Sequence, residues 1–259
     1  MQIIIPMTGY GARFVAAGYK ELKPFIPVLG KPMIEWIVTR MYPGETDILF
    51  VCRQEHLDQI PAMRGLLLNL APTAKIAAIP NWVKKGPVYD VLRAADAIDD
   101  DAPSIINYCD FYMTWDWAQF QKDVAARGCD GCIPCYTGFH PHLLPAANLY
   151  ASCKVDSADN LVEIREKYSF EQDKTKGRHS PGVYYFKDGR TLKKYCQKMI
   201  DAGVMLNGEF YASLPYNFMV EDGLKVWVPT NVEYFCQWGT PEDLREFIYW
   251  MGVVRGIKQ

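Results

Sequence analysis

MQIIIPMTGYGARF, residues 1–14, opens with an apolar run and passes at once into a glycine-bearing turn. Gln2–Pro6 reads as a short buried strand, because three consecutive isoleucines bounded by proline suit a parallel core strand covered on both faces. Gly9, Gly11 and Gly18 then mark a loop. Pro32–Tyr42 reads as a helix, with proline in its first turn and Ile34, Ile37, Val38 and Met41 along one face.

The same alternation continues. Asp47–Arg53 (DILFVCR) is a second strand, and Glu55–Leu70 is helical with a break or restart at Pro61. Lys75–Pro80 is a third strand, and Pro87–Ile98 a helix with Val88, Val91, Leu92 and Ala95 on one face. Ser104–Cys109 is a fourth strand that runs straight into Asp110, followed by a helix at Trp117–Arg127 and a strand at Gly131–Tyr136. This βαβ order predicts an α/β fold, a mostly parallel sheet with right-handed crossovers and helices on both faces. Ligands of such sheets bind beyond the carboxyl ends of the strands, where both the glycine loop and Asp110 fall.

After Thr137 the texture changes. Asn148–Val155 and Leu161–Glu166 read as a hairpin, and Glu171–His179 as a polar, mobile loop. Val183–Phe186 and Leu224–Val228 read as strands, Thr191–Ala202 and Glu209–Val220 as helices. Pro241–Val254 is a terminal helix capped by Thr240, with Glu242 and Asp243 in its first turn. No repeat or linker divides the chain. A single domain over 1–259 is expected, with a nucleotide-binding half at 1–137 and an elaborated half at 138–259.

With 49% hydrophobic and 14% aromatic residues among 259, the chain has material for a large core without staples. Its 28 basic and 30 acidic residues give a net charge of -2, which argues against a nucleic-acid partner. No basic segment leads into a leader-like apolar stretch, and no run approaches ~20 apolar residues, so neither a leader nor a membrane span is expected. A cytoplasmic setting follows, in which the eight cysteines are free thiols. Cys129, Cys132 and Cys135 have CxxCxxC spacing, and a zinc site would need His140 or His142 as a fourth ligand. The favoured alternative is a buried strand using cysteine as a small apolar residue.

The chemistry concentrates in Pro6–Met33, PMTGYGARFVAAGYKELKPFIPVLGKPM. A loop of Met7, Thr8, Gly9, Tyr10 and Gly11 straight after a strand can present backbone N–H groups to phosphate. It is neither the dinucleotide GxGxxG nor the P-loop GxxxxGK[ST]. Its specificity comes from Arg13 two residues on and Lys23 ten residues later, two cations able to neutralise a triphosphate under attack. The sequence offers no Ser-His-Asp or Cys-His set. His56, His140, His142 and His179 fall on helix or loop positions and read as surface residues.

This segment resembles the signature of the sugar-phosphate nucleotidyltransferases, Gly-x-Gly-x-Arg followed by Lys-Pro and Gly-Lys-Pro. Asn107–Asp110 (NYCD) resembles that family's metal-binding aspartate, Glu166–Lys167 its pair that reaches the acceptor phosphate, and Gln237–Leu244 (QWGTPEDL) its late Asp-x-Gly-Thr-Pro segment. The resemblance runs from residue 2 to residue 247. It implies a Rossmann-like, mixed, mostly parallel sheet flanked by helices, the nucleotide-diphospho-sugar transferase fold. It also implies Mg²⁺-dependent attack of an acceptor phosphate on the α-phosphorus of an NTP. Pyrophosphate would be released, in service of capsule or cell-surface polysaccharide precursors, with a homodimer as one permitted assembly.

By the same resemblance Arg13 and Lys23 are catalytic, and Asp110 holds the metal. Met7, Thr8, Gly9, Tyr10, Gly11, Lys85, Gly86 and Asn107 hold the nucleotide, with Lys84, Lys85 and Gly86 bordering the base. Glu166, Lys167, Glu209 and Tyr211 hold the acceptor, although Tyr211 and Tyr216 read equally as core aromatics. The chain departs from the pattern at Gln237, a poor Mg²⁺ ligand where a second aspartate is usual, and Glu209 or Glu233 is the alternative carboxylate. Nothing in the sequence selects the base. A related-fold glycosyltransferase would want a second aspartate beside Asp110, where the chain has Phe111 and Tyr112. A non-catalytic nucleotide-sugar-binding protein draws support only from Gln237.

Overall fold

The computed structural model describes residues 1–255. Strand β1 (Gln2–Met7) leads through the loop into a short helix α1 (Ala12–Ala16), then a two-residue hairpin of β2 (Pro27–Val28) and β3 (Lys31–Pro32). Helix α2 (Met33–Trp36) continues as a π-helical turn over Ile37–Met41. There follow β4 (Ile48–Arg53), α3 (Gln54–Gln59), α4 (Met63–Leu70), β5 (Lys75–Ile79), α5 (Pro87–Arg93) and β6 (Ser104–Asn107). Pro61 lies in the gap between α3 and α4, as expected of a residue without a backbone donor.

Beyond β6 come β7 (Phe111–Thr114), α6 (Trp117–Arg127), β8 (Gly131–Cys132), β9 (Ser152–Val155), β10 (Leu161–Arg165), β11 (Arg178–His179) and β12 (Val183–Phe186). Helices α7 (Gly189–Asp201) and α8 (Pro215–Glu221), strands β13 (Val226–Trp227) and β14 (Tyr234–Gln237), and helix α9 (Pro241–Val254) complete the order. The Thr240 hydroxyl accepts the Asp243 N–H at the head of α9, the cap expected there.

The central sheet has seven strands in the order β13-β8-β12-β6-β1-β4-β5. β1 pairs parallel with β4 and β6, β4 with β5, and β13 with β8; only β12 runs antiparallel to its neighbours. This is the mixed, mostly parallel sheet expected from the sequence. Alternate residues of β1 serve opposite cores: Ile3, Ile5 and Met7 pack with α2, α4 and α6, and Ile4 packs with α5, α7 and α8. Both faces are therefore covered, which explains why every residue of β1 and β4 is buried. Among the described residues no helix is long and apolar enough to cross a membrane.

Three sequence expectations need correction. The end of the expected Glu171–His179 loop is a strand: β11 (Arg178–His179) pairs with β9, and His179 is 0% exposed. Arg178 donates to the Val228 carbonyl at 2.5 Å and to Asp159 at 2.6 Å, and Lys174 donates to the carbonyls of Ala146 and Ala147. Glu209–Val220 is helical only from Pro215, because Phe210 is held extended by hydrogen bonds from its N–H to Lys85 O and from Val88 N–H to its carbonyl.

The histidines are not surface residues. His56 and His140 are buried, and desolvation pushes His142 down to about 3 where it meets the Tyr136 hydroxyl at 2.8 Å. Finally, the pairing of β7 with β14 was not foreseen. The cysteines at 129, 132 and 135 are free and buried, and the described residues contain no cluster of three or more His, Cys, Asp or Glu able to hold a metal.

Candidate functional site

Because β1, β4, β5 and β6 are mutually parallel, their carboxyl ends open on one edge of the sheet. Four segments leave from that edge: Thr8–Gly11, Arg53, Trp82–Gly86 and Tyr108–Asp110. Thr8–Gly11, Trp82, Lys84, Gly86 and Tyr108–Asp110 line a cleft of about 430 Å³ together with Arg13, Lys23, Glu209, Tyr211 and Gly239, while Arg53 packs against Tyr10 and Trp82 without lining it. The long-range ladder of β14 on β7 supplies the last of these: Gln237 pairs with Phe111, the Trp238 N–H donates to Asp110 O, and Gly239 follows.

Gly11 turns the loop with φ +60° and lies against Lys23; a Cβ there would stand 3.2 Å from Lys23 Cβ. That packing holds Lys23 across the cleft. Its ammonium donates to Asp110 Oδ2 at 2.7 Å and to the Gly239 carbonyl at 3.0 Å, and lies 5.3 Å from the Phe14 ring centre. Arg13, at the start of α1, is exposed and lines the cleft. Its charge reaches the Tyr150 and Tyr211 phenols, both raised above their ordinary values chiefly by burial and eased downward by Arg13. A cation pair, one carboxylate and a tight glycine loop thus converge at the head of the parallel strands. That set can bind and neutralise an anionic, phosphate-bearing ligand.

No protein-family model and no curated protein matches the sequence. Solved structures do match. A nucleoside-diphosphate-sugar pyrophosphorylase from Vibrio cholerae RC9 aligns with a TM-score of 0.74 over 96% of this chain and 100% of its own, at 17% identity. A UDP-glucose pyrophosphorylase complexed with UDP-glucose gives 0.73 over 98% of this chain and 99% of its own, at 14% identity. An apo UDP-glucose pyrophosphorylase gives 0.74 over 98% of each chain, also at 14% identity. The chain has the fold of these pyrophosphorylases.

Within this pyrophosphorylase fold, the residues singled out from the sequence fall into three groups. Met7, Thr8, Gly9, Tyr10, Gly11, Arg13, Lys23, Gly86, Asp110, Glu209 and Tyr211 all line the cleft. Tyr216, by contrast, is 0% exposed and is a core aromatic whose hydroxyl donates to the Tyr185 carbonyl. Asn107 and Lys85 border the cleft without lining it. Asn107 accepts the Tyr42 hydroxyl at 2.5 Å and donates to Tyr108 O, fixing the end of β6. The Lys85 ammonium lies over the Tyr89 ring, and Lys84 lines the cleft instead, paired with Glu209 at 2.9 Å.

Glu166 and Lys167 form the third group, beside Tyr211. Lys167 takes a left-handed φ of +53° that turns its ammonium over the Tyr211 ring, 5.4 Å from the centre. Glu166 accepts the Ser213 hydroxyl at 2.5 Å. Burial pushes its carboxyl up to about 7, against the Ser213 hydrogen bond and the Lys167 charge. A folded value above the ordinary 4.5 means the protonated form is favoured in the fold. That contribution to stability is complete at low pH and is lost as pH rises through about 7. The melting temperature of Glu166→Gln relative to wild type is therefore expected to climb between about pH 5 and 8. A difference that stays flat over that range would show Glu166 to be an ordinary solvated carboxylate.

Sequence reasoning missed Arg53, Trp82, Asp90 and Tyr108. Arg53 is 1% exposed, with its guanidinium 3.6 Å from the Tyr10 ring centre and 3.8 Å from that of Trp82. It donates to Thr8 O from Nε at 3.1 Å and Nη2 at 2.6 Å. An arginine at the carboxyl end of a buried strand was the available signal.

Proposed function

We propose that the cleft transfers an NMP unit from an NTP to a phosphorylated sugar or similar small phosphate, releasing pyrophosphate. The observation that carries this reading is the Lys23 bridge between Asp110 and Gly239 O, held against the Gly11 loop with Arg13 beside it. A phosphate monoester is already a nucleophile, so no general base is required. An acceptor oxygen attacks the α-phosphorus, the bond from that phosphorus to the β-bridging oxygen breaks, and pyrophosphate leaves with its electron pair. Arg13 and Lys23 lie where they would neutralise the charge that grows on the phosphates, and the cleft holds two anions together that would otherwise repel.

The fold implies a divalent metal, and the donor set fits a hard ion brought in with the nucleotide. Asp110 Oδ2 is engaged by Lys23, which leaves Oδ1 as one hard oxygen donor. Gln237 directs its amide N–H at Asp243, and Glu233 is exposed outside the cleft lining, so a second carboxylate beside Asp110 is not supplied by either. Mg²⁺ commonly binds through one or two carboxylates plus substrate phosphates, so Asp110 would hold it with triphosphate oxygens completing the shell. Bound there it would draw charge from the phosphates under attack.

The acceptor end is proposed at Lys167, whose ammonium lies over Tyr211 at the rim. A lysine there is a point charge on a flexible stem, suited to a mobile phosphate. Lys167→Ala is expected to raise the acceptor KM about tenfold or more while leaving the NTP KM within about twofold, since a single charge-assisted contact is lost. Equal rises in both would move Lys167 to the nucleotide. The reading as a whole is tested by pyrophosphate release on mixing the protein with Mg²⁺, each NTP and a panel of phosphorylated sugars. No release with any pairing would overturn it.

A further inference from the structure

The lining of the cleft is chemically uneven. It holds Arg13, Lys23 and Asp110, Tyr211 with the Lys167 ammonium over its ring, and, as one end of the lining, the cluster of Tyr10, Trp82 and Asp90. That cluster is built for a flat ring. Tyr10 and Trp82 meet edge to face with centroids 5.0 Å apart, and the buried Arg53 guanidinium locks both against the loop.

Asp90 closes that end. It is 1% exposed and lines the cleft. Its Oδ2 accepts the Trp82 indole N–H at 2.9 Å and the Thr8 hydroxyl. Its Oδ1 is buried with no hydrogen-bond partner among the described residues. Burial raises the carboxyl above its ordinary value, against those two hydrogen bonds and the charges of Arg93 and Arg53. A buried acceptor left unpaired is unusual and costly, and an N–H donor from a ligand in the cleft would satisfy it.

We propose that Asp90 Oδ1 reads the nucleotide base by accepting an exocyclic amino N–H, so that the cleft takes cytosine, guanine or adenine nucleotides over uracil or thymine nucleotides. The inference rests on the reading of the cleft as an NTP site. Cytosine (at C4), adenine (at C6) and guanine (at C2) each carry an exocyclic amino group; uracil and thymine have none, and their one base N–H, at N3, is flanked by two carbonyl oxygens that a carboxylate repels. A site with a buried polar group rejects an analogue that leaves it unpaired, here by about 10²-fold, the scale of one hydrogen bond to a charged group.

Asp90→Asn gives a directional test. Both neighbours of Oδ2 are donors, so the amide carbonyl takes its place and the NH₂ group stands where Oδ1 stood. An acceptor becomes a donor with the shape unchanged. The experiment measures binding of CTP, GTP, ATP and UTP with Mg²⁺ by calorimetry to wild type and to Asp90→Asn. At least one amino-bearing NTP is expected to bind wild type about 10²-fold tighter than UTP, and the substitution to cut that ratio at least tenfold. UTP binding as tightly as all three others to wild type would overturn the inference, as would an unchanged ratio in the variant. The wild-type ranking decides by itself if the variant folds poorly. If none of the four binds, it is the NTP reading beneath that fails, and the assignment of Asp90 falls with it.

Discussion

Arg13→Ala is expected to lower kcat by about 10²-fold or more while leaving the melting temperature near that of wild type. The kinetic size is that of losing one preorganised charge donor to the developing transition-state charge, ~2.7–4 kcal/mol. The stability claim follows from position: Arg13 is exposed at the head of a short helix, and Phe14 is the residue of α1 that is buried. Arg13→Lys restores the charge without the guanidinium fork and should recover only part of the rate. Steady-state kinetics paired with a thermal melt separates the two effects. Wild-type turnover in the alanine variant would remove Arg13 from the chemistry.

Gly86→Ala should act through the fold. Gly86 holds φ +92°, and a Cβ there would stand 2.6 Å from Phe210 N and 2.9 Å from Phe210 O. Those atoms join the two sides of the cleft, because the Phe210 N–H donates to Lys85 O at 2.8 Å and Val88 N–H donates to Phe210 O at 3.2 Å. The methyl group must part these segments, and the Lys84–Glu209 pair beside them loses its support. Backbone strain and overpacking together are worth about 3 kcal/mol, on the order of 10 °C in melting temperature. NTP affinity should fall as well. Gly44→Ala is the control: it has φ +80° and open space around it, so it isolates the backbone strain alone. If the two variants melted alike, the contact with Phe210 would carry no stability.

The strongly patterned elements were legible in the sequence. Trp117–Arg127, Val183–Phe186 and Pro241–Val254 fall where periodicity and caps place them, because local preference and burial agree there. The β7–β14 ladder was not legible. FYMT and YFCQ are four-residue segments whose strand character exists only through long-range pairing, Tyr234 with Thr114 and Gln237 with Phe111, information no local window holds.

The site divides in the same way. Gly11 and Asp110 were readable because each follows closely on a strand end, and Arg13 and Lys23 because they belong to the same Gly-x-Gly-x-Arg and Lys-Pro string. Asp90 was not, since it looks like one more polar residue on an amphipathic helix. Only the meeting of Thr8, Trp82 and Arg53 from three other segments shows it buried with one oxygen unpaired. The strand at Arg178–His179 was not legible because it looks like the end of a charged loop, and only the fold shows Arg178 and Lys174 donating to carbonyls of distant segments.

The central claim, nucleotidyl transfer onto a phosphate, is tested most directly by following the phosphorus of the NTP. The protein is incubated with Mg²⁺, a phosphorylated acceptor, and NTP labelled at the α-phosphate in one reaction and at the γ-phosphate in another. The account predicts that the α label appears in the nucleotide–acceptor conjugate and the γ label in pyrophosphate, in equal amounts. Label retained in intact NTP under every acceptor tested, while a finished nucleotide sugar is consumed with release of nucleoside diphosphate, would contradict it and make the protein a glycosyltransferase on the same fold.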